Sequence, residues 1–277
     1  MGQIKIKDTI IGDEKVKICV PISARDFSEL DEELEYAINS PCDIIEIRYD
    51  YLAETFCKLC EVNKQRHLGN VLNEVNNKQN QFKGKKHVNL LNETSSGSLN
   101  NVERDKLTLF TFRTKLEGGL GTDNNEEYYN INEQAILSGH IDIIDIEFTK
   151  EDVQIKKLIK LAHENNVKVI ISKHYFEKSL SKEEQLNMLI KMQETGADII
   201  KLATTVYDEA GAQEVISAAE EMYNKHATIP IITIGMGEFG KVTRQIKPFY
   251  GSAITYARGI KATAPGQISV PELLGEV

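Results

Sequence analysis

Residues 141–174 read IDIIDIEFTKEDVQIKKLIKLAHENNVKVIISKH, and this stretch decides the fold. It opens on an Ile-rich run, Ile141 to Phe148. It then passes through Glu151 to Asn165, where apolar residues fall at three- and four-residue spacings, and closes on a second run, Val167 to His174. A strand, an amphipathic helix and another strand in that order form a crossover unit whose two strands pair in parallel.

The same unit repeats on both sides. Further Ile- and Val-rich runs stand at Lys17 to Ile22, Asp43 to Asp50, Thr108 to Thr114, Ala197 to Thr204, Ile229 to Met236 and Ser252 to Ala257, which brings the candidate strands to eight. Helical periods occupy Phe27 to Ile38, Lys182 to Thr195 and Glu209 to His226. Eight such units in 277 residues predict an α/β fold of the (β/α)8 TIM-barrel kind, occupying residues 1–277 as a single domain. An open nucleotide-binding sheet is the weaker reading, because no Gly-x-Gly-x-x-Gly opens the first crossover. Ile4 to Ile11, with the turn Gly12 to Lys15, predicts an N-terminal β-hairpin closing the barrel floor.

One segment breaks the rhythm. Glu61 to Lys106 is rich in Asn with scattered Lys, Gln and Ser, and on composition it reads as a polar insertion, a surface loop unable to bury enough apolar area to offset its ordering entropy. The four cysteines suggest little chemistry. Cys19 and Cys42 lie in or beside apolar strands, and Cys57 with Cys60 is a lone C-x-x-C that no second pair completes as a zinc site.

Charge narrows the function classes. Lys and Arg number 33 against 42 Asp and Glu, a net charge of -9 that disfavours nucleic acid and anionic membrane surfaces as partners. No apolar run approaches the roughly 18 residues of a membrane span, and Met1 to Ile10 alternates charge with aliphatics, so the expectation is a cytoplasmic protein.

Parity along the strands locates the chemistry, since alternate residues face the barrel axis. Glu46, Arg48 and Asp50 share one parity, Arg113 follows Leu109 and Thr111, Asp145 pairs with Glu147, Ser172 with His174, and Lys201 stands between Ile199 and Ala203. Ionisable groups from five consecutive strands therefore point inward. Burying them unpaired would cost several kcal/mol each, so they neutralise one another or bind something. An internal ion-pair network accounts for Glu46 with Arg48 and for Arg113 with Asp145 and Glu147, but it leaves Lys201 and His174 over.

In such a setting desolvation and nearby cations free a lysine amine to attack a ketone, with a neighbouring histidine placed to move protons beside the resulting iminium. A lysine that extends its stem out to solvent is the competing reading of Lys201. His67, His87, His140, His163 and His226 have no comparable setting. Glu117, just beyond the third strand, is either an orienting carboxylate for His174 or a solvated loop residue. Arg244, after the seventh strand, is either a clamp for a carboxylate or a surface arginine.

Six ordered segments then carry a resemblance along nearly the whole chain: Glu46-Ile47-Arg48-Tyr49-Asp50, Thr111-Phe112-Arg113 with Glu117-Gly118-Gly119, Asp145-Ile146-Glu147, Ser172-Lys173-His174-Tyr175-Phe176, Ile200-Lys201-Leu202-Ala203 and Ala264-Pro265-Gly266-Gln267. Together they resemble the type I 3-dehydroquinate dehydratases. The resemblance implies a lyase of the shikimate pathway, on the route to chorismate and the aromatic amino acids. It would dehydrate 3-dehydroquinate to 3-dehydroshikimate through a lysine Schiff base with no metal or cofactor, and a homodimer is the assembly expected of the family. Position by position it implies Lys201 as Schiff-base lysine, His174 as general base and acid, and Glu117 holding the histidine. Glu46, Arg48 and Arg113 would then contact ring hydroxyls, and Arg244 with Gln267 the carboxylate. Thr263 stands where the family usually has serine, which keeps a hydroxyl for a lid contact.

Two other readings remain at the level of sequence. A class I aldolase would use the same barrel and imine but cleave a carbon-carbon bond, and a catalytically inactive barrel would serve as a binding scaffold through the 61–106 insertion.

Overall fold

The structure, a computed structural model, describes residues 2–56, 61–92, 105–148 and 152–276, and within 61–92 the side chains of residues 67–82. Two short antiparallel strands, β1 (Ile4–Ile6) and β2 (Thr9–Ile11), form the hairpin. Eight parallel strands follow: β3 (Lys17–Ile22), β4 (Ile44–Arg48), β5 (Leu107–Thr111), β6 (Ile143–Glu147), β7 (Lys168–Tyr175), β8 (Ile199–Thr205), β9 (Ile231–Met236) and β10 (Ile254–Tyr256). They run in the order β10-β3-β4-β5-β6-β7-β8-β9. The Ile231–Ser252 bridge and the Ala253 N–H donating to Ile231 O at 2.8 Å close the ring. The protein is a TIM barrel, as the crossover pattern predicts.

The helices are α1 (Phe27–Asn39), α2 (Tyr49–Phe56), α3 (Glu61–Asn92), α4 (Asn125–Leu137), α5 (Asp152–Glu164), α6 (Lys182–Gln193), α7 (Glu209–Glu221) and α8 (Val270–Leu274). Local sequence sets several starts. Asp26 and Asp208 accept from backbone N–H groups in the first turns of α1 and α7, and Ser181 with Glu184 makes a capping box at α6. Among the described residues, no helix is long and apolar enough to cross a membrane.

Strand parity builds two apolar cores. Val20, Ile45, Phe110, Ile144, Ile171 and Leu202 face outward and pack under the helices. Cys19, Ile44, Leu109, Ile143, Ile170 and Ile199 face inward and meet Ile6 and Ile11 of the hairpin, which fills the barrel floor. A repeated device aligns the strands from below. Asp43, Asp142 and Asp198 each precede a strand and accept from a backbone N–H of a neighbouring strand: Ile18 at 2.8 Å, Thr108 at 2.9 Å and Val169 at 2.9 Å. Lys7 of the hairpin ties to Asp142 at 2.8 Å.

Three sequence expectations change. The 61–106 segment is not a structureless surface loop over its described length. Glu61–Asn92 forms α3, which packs between α1 and α4 as the crossover helix from β4 to β5. Leu68, Val71, Leu72 and Val75, at helical spacing, are buried, and Gln79 donates to Thr108 Oγ1 at 3.2 Å. Burying each of those side chains is worth about 1.5–3 kcal/mol, whereas an asparagine costs at most about 0.7 kcal/mol against alanine in a helix. A narrow apolar stripe therefore outweighs an unfavourable composition. Lys106 is anchored as well, donating to the carbonyls of Ser40 at 2.6 Å and Cys42 at 2.9 Å. Next, β4 ends at Arg48, so Asp50 lies in the first turn of α2 rather than in a strand. The eighth barrel strand is also shorter than read, covering only Ile254–Tyr256. Cys57 and Cys60 lie outside the described residues.

Candidate active site

Above the apolar floor, the inward parity of β4 to β8 turns polar. Lys201, in β8, is buried, with its Nζ 3.2 Å from Asp145 Oδ2. Asp145 is the hub of a network. It accepts from Ser172 Oγ at 2.5 Å and pairs with Arg113 Nη2 at 2.9 Å, while Arg113 Nη1 donates to Ser172 Oγ at 2.9 Å and pairs with Glu147 at 3.1 Å. Burial works against ionisation of Asp145, but Arg113 and Lys201, helped by the Ser172 hydroxyl, outweigh it and hold the carboxyl well below the usual range. Glu147 is pushed the other way by burial. It is held in place by the Thr114 N–H and hydroxyl, each at 2.8 Å.

His174 ends the inward row of β7. Its Nδ1 is 3.0 Å from Glu117 Oε2, which also accepts from the His174 backbone N–H at 2.9 Å, and Lys173 donates to the other Glu117 oxygen. A carboxylate only accepts, so Nδ1 carries the proton and Nε2 keeps its lone pair. Burial, then Arg113 and Lys201, push the imidazole well below its usual value, against the pull of Asp145. Glu117 reaches this spot on a tight turn, Lys115–Glu117, that ends at Gly118 with φ 77°. A Cβ at Gly118 would fall 2.2 Å from the Phe176 ring, so the Glu-Gly sequence is a steric requirement of the placement.

The other candidates close the ring of groups. Thr111 donates to Glu46 at 2.7 Å. Arg48 is clamped in two parallel bonds of 2.8 Å by Asp50, which fixes the guanidinium plane. Arg244 is buried, and its Nε has no hydrogen-bond partner among the described residues. Its Nη2 donates to Pro265 O at 3.2 Å. Burial alone brings this guanidinium down to about 10. Gln267 accepts from the Thr263 N–H at 2.7 Å and donates to the Thr263 hydroxyl at 3.0 Å, which braces the loop after β10. Glu46, Arg48, Arg113, His174, Lys201, Arg244, Thr263 and Gln267 all line one open-mouthed cavity, and Glu117 backs His174 from behind.

A cavity on which buried Arg48, Arg113, Lys201 and Arg244 converge suits a small anionic ligand. Comparison with known proteins then decides the family. The family model described as type I 3-dehydroquinase matches residues 18–275. The chain belongs to the type I 3-dehydroquinase family. The function that goes with that family is the dehydration of 3-dehydroquinate in the shikimate pathway. The 3-dehydroquinate dehydratase of Clostridium novyi is 33% identical over 273 residues, covering 99% of this chain and 96% of the relative. That of Listeria monocytogenes is 31% identical over 273 residues, again covering 99% and 96%. Among solved structures, the type I 3-dehydroquinate dehydratase from Clostridium difficile with covalently modified comenic acid superimposes with a TM-score of 0.81 at 31% identity, covering 99% of this chain and 95% of that one.

Within this dehydroquinase barrel the structure gives one inward residue a second partner and adds another residue to the lining. Asp145, read only as a network partner of Arg113, is also the counter-ion of Lys201. Tyr256, which the motifs do not include, lines the cavity beside them. Its signal was present, since it shares the parity of the inward Ile254, but an aromatic residue in a short strand reads as ordinary core.

The loop after β10 is tightly fitted against the end of β9. Gly237 N–H donates to Pro265 O at 3.3 Å, and a Cβ on Gly266, whose φ is 76°, would lie 2.2 Å from Gly237 O. Gly266→Ala is expected to keep the fold but hold the loop off the cavity, raising KM at least about tenfold. Steady-state kinetics checks this, and an unchanged KM would show that closure does not need the close approach.

Proposed function

We propose that this chain dehydrates 3-dehydroquinate through an imine at Lys201. The observation that carries the reading is a buried lysine amine, 3.2 Å from a carboxylate, in the same cavity as a histidine whose outer nitrogen is free to take a proton. Lys201 gives up a proton to solvent, and the free amine attacks the ketone carbon. The carbinolamine oxygen leaves as water, with one proton from the attacking nitrogen and one taken back from solvent, forming an iminium. His174 Nε2 removes a proton from the adjacent carbon, and the electron pair flows into the iminium to give an enamine. The enamine pushes out the β-hydroxyl, which takes the proton from His174 and leaves as a second water, and hydrolysis of the conjugated imine then frees the product and the lysine. His174 carries the proton from carbon to the leaving hydroxyl and the iminium takes up the electron pair, so the scheme calls on no metal or cofactor. Glu117 fixes the imidazole tautomer, and Asp145 balances the charge on the lysine nitrogen.

Glu46, Arg48 and Arg113 are the groups for the ring hydroxyls. Arg244, with no carboxylate partner among the described residues, is the group for the substrate carboxylate. Thr263 and Gln267 close the lid over it. The Clostridium difficile relative carries covalently modified comenic acid, which supports a covalent mechanism. We also read the chain as one barrel domain acting in the cytoplasm, with a homodimer as its assembly.

The deciding experiment is peptide mass spectrometry after incubation with 3-dehydroquinate and borohydride. One reduced adduct on the Lys201 peptide is expected, and an adduct elsewhere, or none, would overturn the mechanism. Release of 3-dehydroshikimate separates the dehydratase from a carbon-carbon-cleaving aldolase.

The pH dependence follows from the imidazole. Its folded value lies well below 6.5, so the base form persists as pH falls past 6.5 and is lost only on passing the lower folded value. The acid limb of kcat/KM is expected below pH 6.5, and a limb above it would contradict the assignment of His174 as base. In the same window the unfolded chain binds a proton that the folded one does not, so His174 costs stability as pH falls. Asp145, with a depressed value, loses its stabilising charge only as pH drops below the usual carboxylate range.

A further inference from the structure

Lys201 is held from two sides of the barrel. Around the closed ring, β6 lies two strands from β8 in one direction and β10 two strands away in the other. From β6, Asp145 Oδ2 stands 3.2 Å from Nζ. From β10, the ring of Tyr256 has its centroid 4.1 Å from the same nitrogen. Tyr256 is itself buried, and its backbone is pinned opposite Cys19 by the parallel pairing of β10 with β3. Its hydroxyl has no hydrogen-bond partner among the described residues, so what the side chain offers the lysine is its π face. The reaction passes through two cations on this nitrogen, and the negative face of an aromatic ring attracts a desolvated cation without competing for its protons. A second carboxylate there would bind the ammonium far more firmly and oppose release of the free amine.

We propose that Tyr256 is a positioning residue for the reaction: its ring face cradles the Lys201 nitrogen while that nitrogen is positive, first as ammonium and then as iminium. The assignment rests on the reading of Lys201 as nucleophile. Asp145 neutralises the charge from one side and the Tyr256 ring flanks it from the other, so the nitrogen is held between the two. Around this nitrogen, besides Asp145, stand Cys19 on β3 and, lining the same cavity, Glu46 and Arg48 on β4, Arg113 beyond β5, His174 on β7 and Arg244 after β9. All of them stay in place in the variants below.

The test reads the lysine directly. The rate of borohydride trapping of 3-dehydroquinate on Lys201 is followed against pH, and its midpoint reports deprotonation of the amine. Tyr256→Phe keeps the face and should keep the midpoint. Tyr256→Leu removes it and should lower the midpoint by about one pH unit, a tenfold shift from ammonium towards amine. Phenylalanines with successive ring fluorines, installed at position 256, keep the shape and withdraw charge from the face, so the midpoint should fall stepwise. That series answers the question even if the leucine variant does not fold. A flat fluorine series, or a phenylalanine variant as shifted as leucine, overturns the proposal. If the wild-type protein gives no adduct on Lys201, the nucleophile reading falls first. An adduct with a flat series removes only the role of Tyr256.

Discussion

Lys201→Ala is expected to give a folded barrel that forms no borohydride-stable adduct with 3-dehydroquinate and turns over at least about 10⁴-fold more slowly. The size follows from the part the amine plays. Without an iminium there is no electron sink for the proton abstraction, and no other described group in the cavity can make a carbon-nitrogen double bond. The fold should survive because the network is redundant around Asp145. With the lysine gone, the carboxylate still pairs with Arg113 at 2.9 Å and accepts from Ser172 at 2.5 Å, so no buried charge is orphaned. Mass spectrometry and thermal melting check both halves. Trapping that persists in the variant would move the nucleophile to another residue.

His174→Ala should separate capture from turnover. The amine and its counter-ion are untouched, so the imine forms and accumulates, while turnover falls about 10²- to 10⁴-fold for want of a base and acid. The turn carrying Glu117 should hold, since Lys173 and the backbone N–H of residue 174 still donate to that carboxylate. Rapid-quench trapping is expected to show a larger steady-state adduct than in the wild type. Turnover within about tenfold of the wild type would take proton transfer away from this imidazole.

The barrel was legible because inward and outward strand positions obey different rules. Residues under the helices are continuous aliphatics such as Ile45, Ile47, Ile144 and Ile146, so a charge on the opposite parity had to face the axis. Glu46, Arg113, His174 and Lys201, all of that parity, line one cavity. Composition, by contrast, is a poor guide where period is what counts. In α3 the stripe of Leu68, Val71, Leu72 and Val75 is thin enough for the surrounding asparagines to hide it, although burial depends on the stripe and not on the average. The part played by Asp145 was hidden for another reason. Parity tells which way a side chain points, but not which of several inward cations from strands two apart will meet it, since that depends on the stagger of the ring.

The hairpin under the barrel makes the cavity a blind tube. With Ile6 and Ile11 sealing the bottom, the opening under the loop of Pro265 and Gly266 has to serve arrivals and departures alike. Each molecule formed must leave before another can enter, so accumulated product will compete directly with substrate for the doorway.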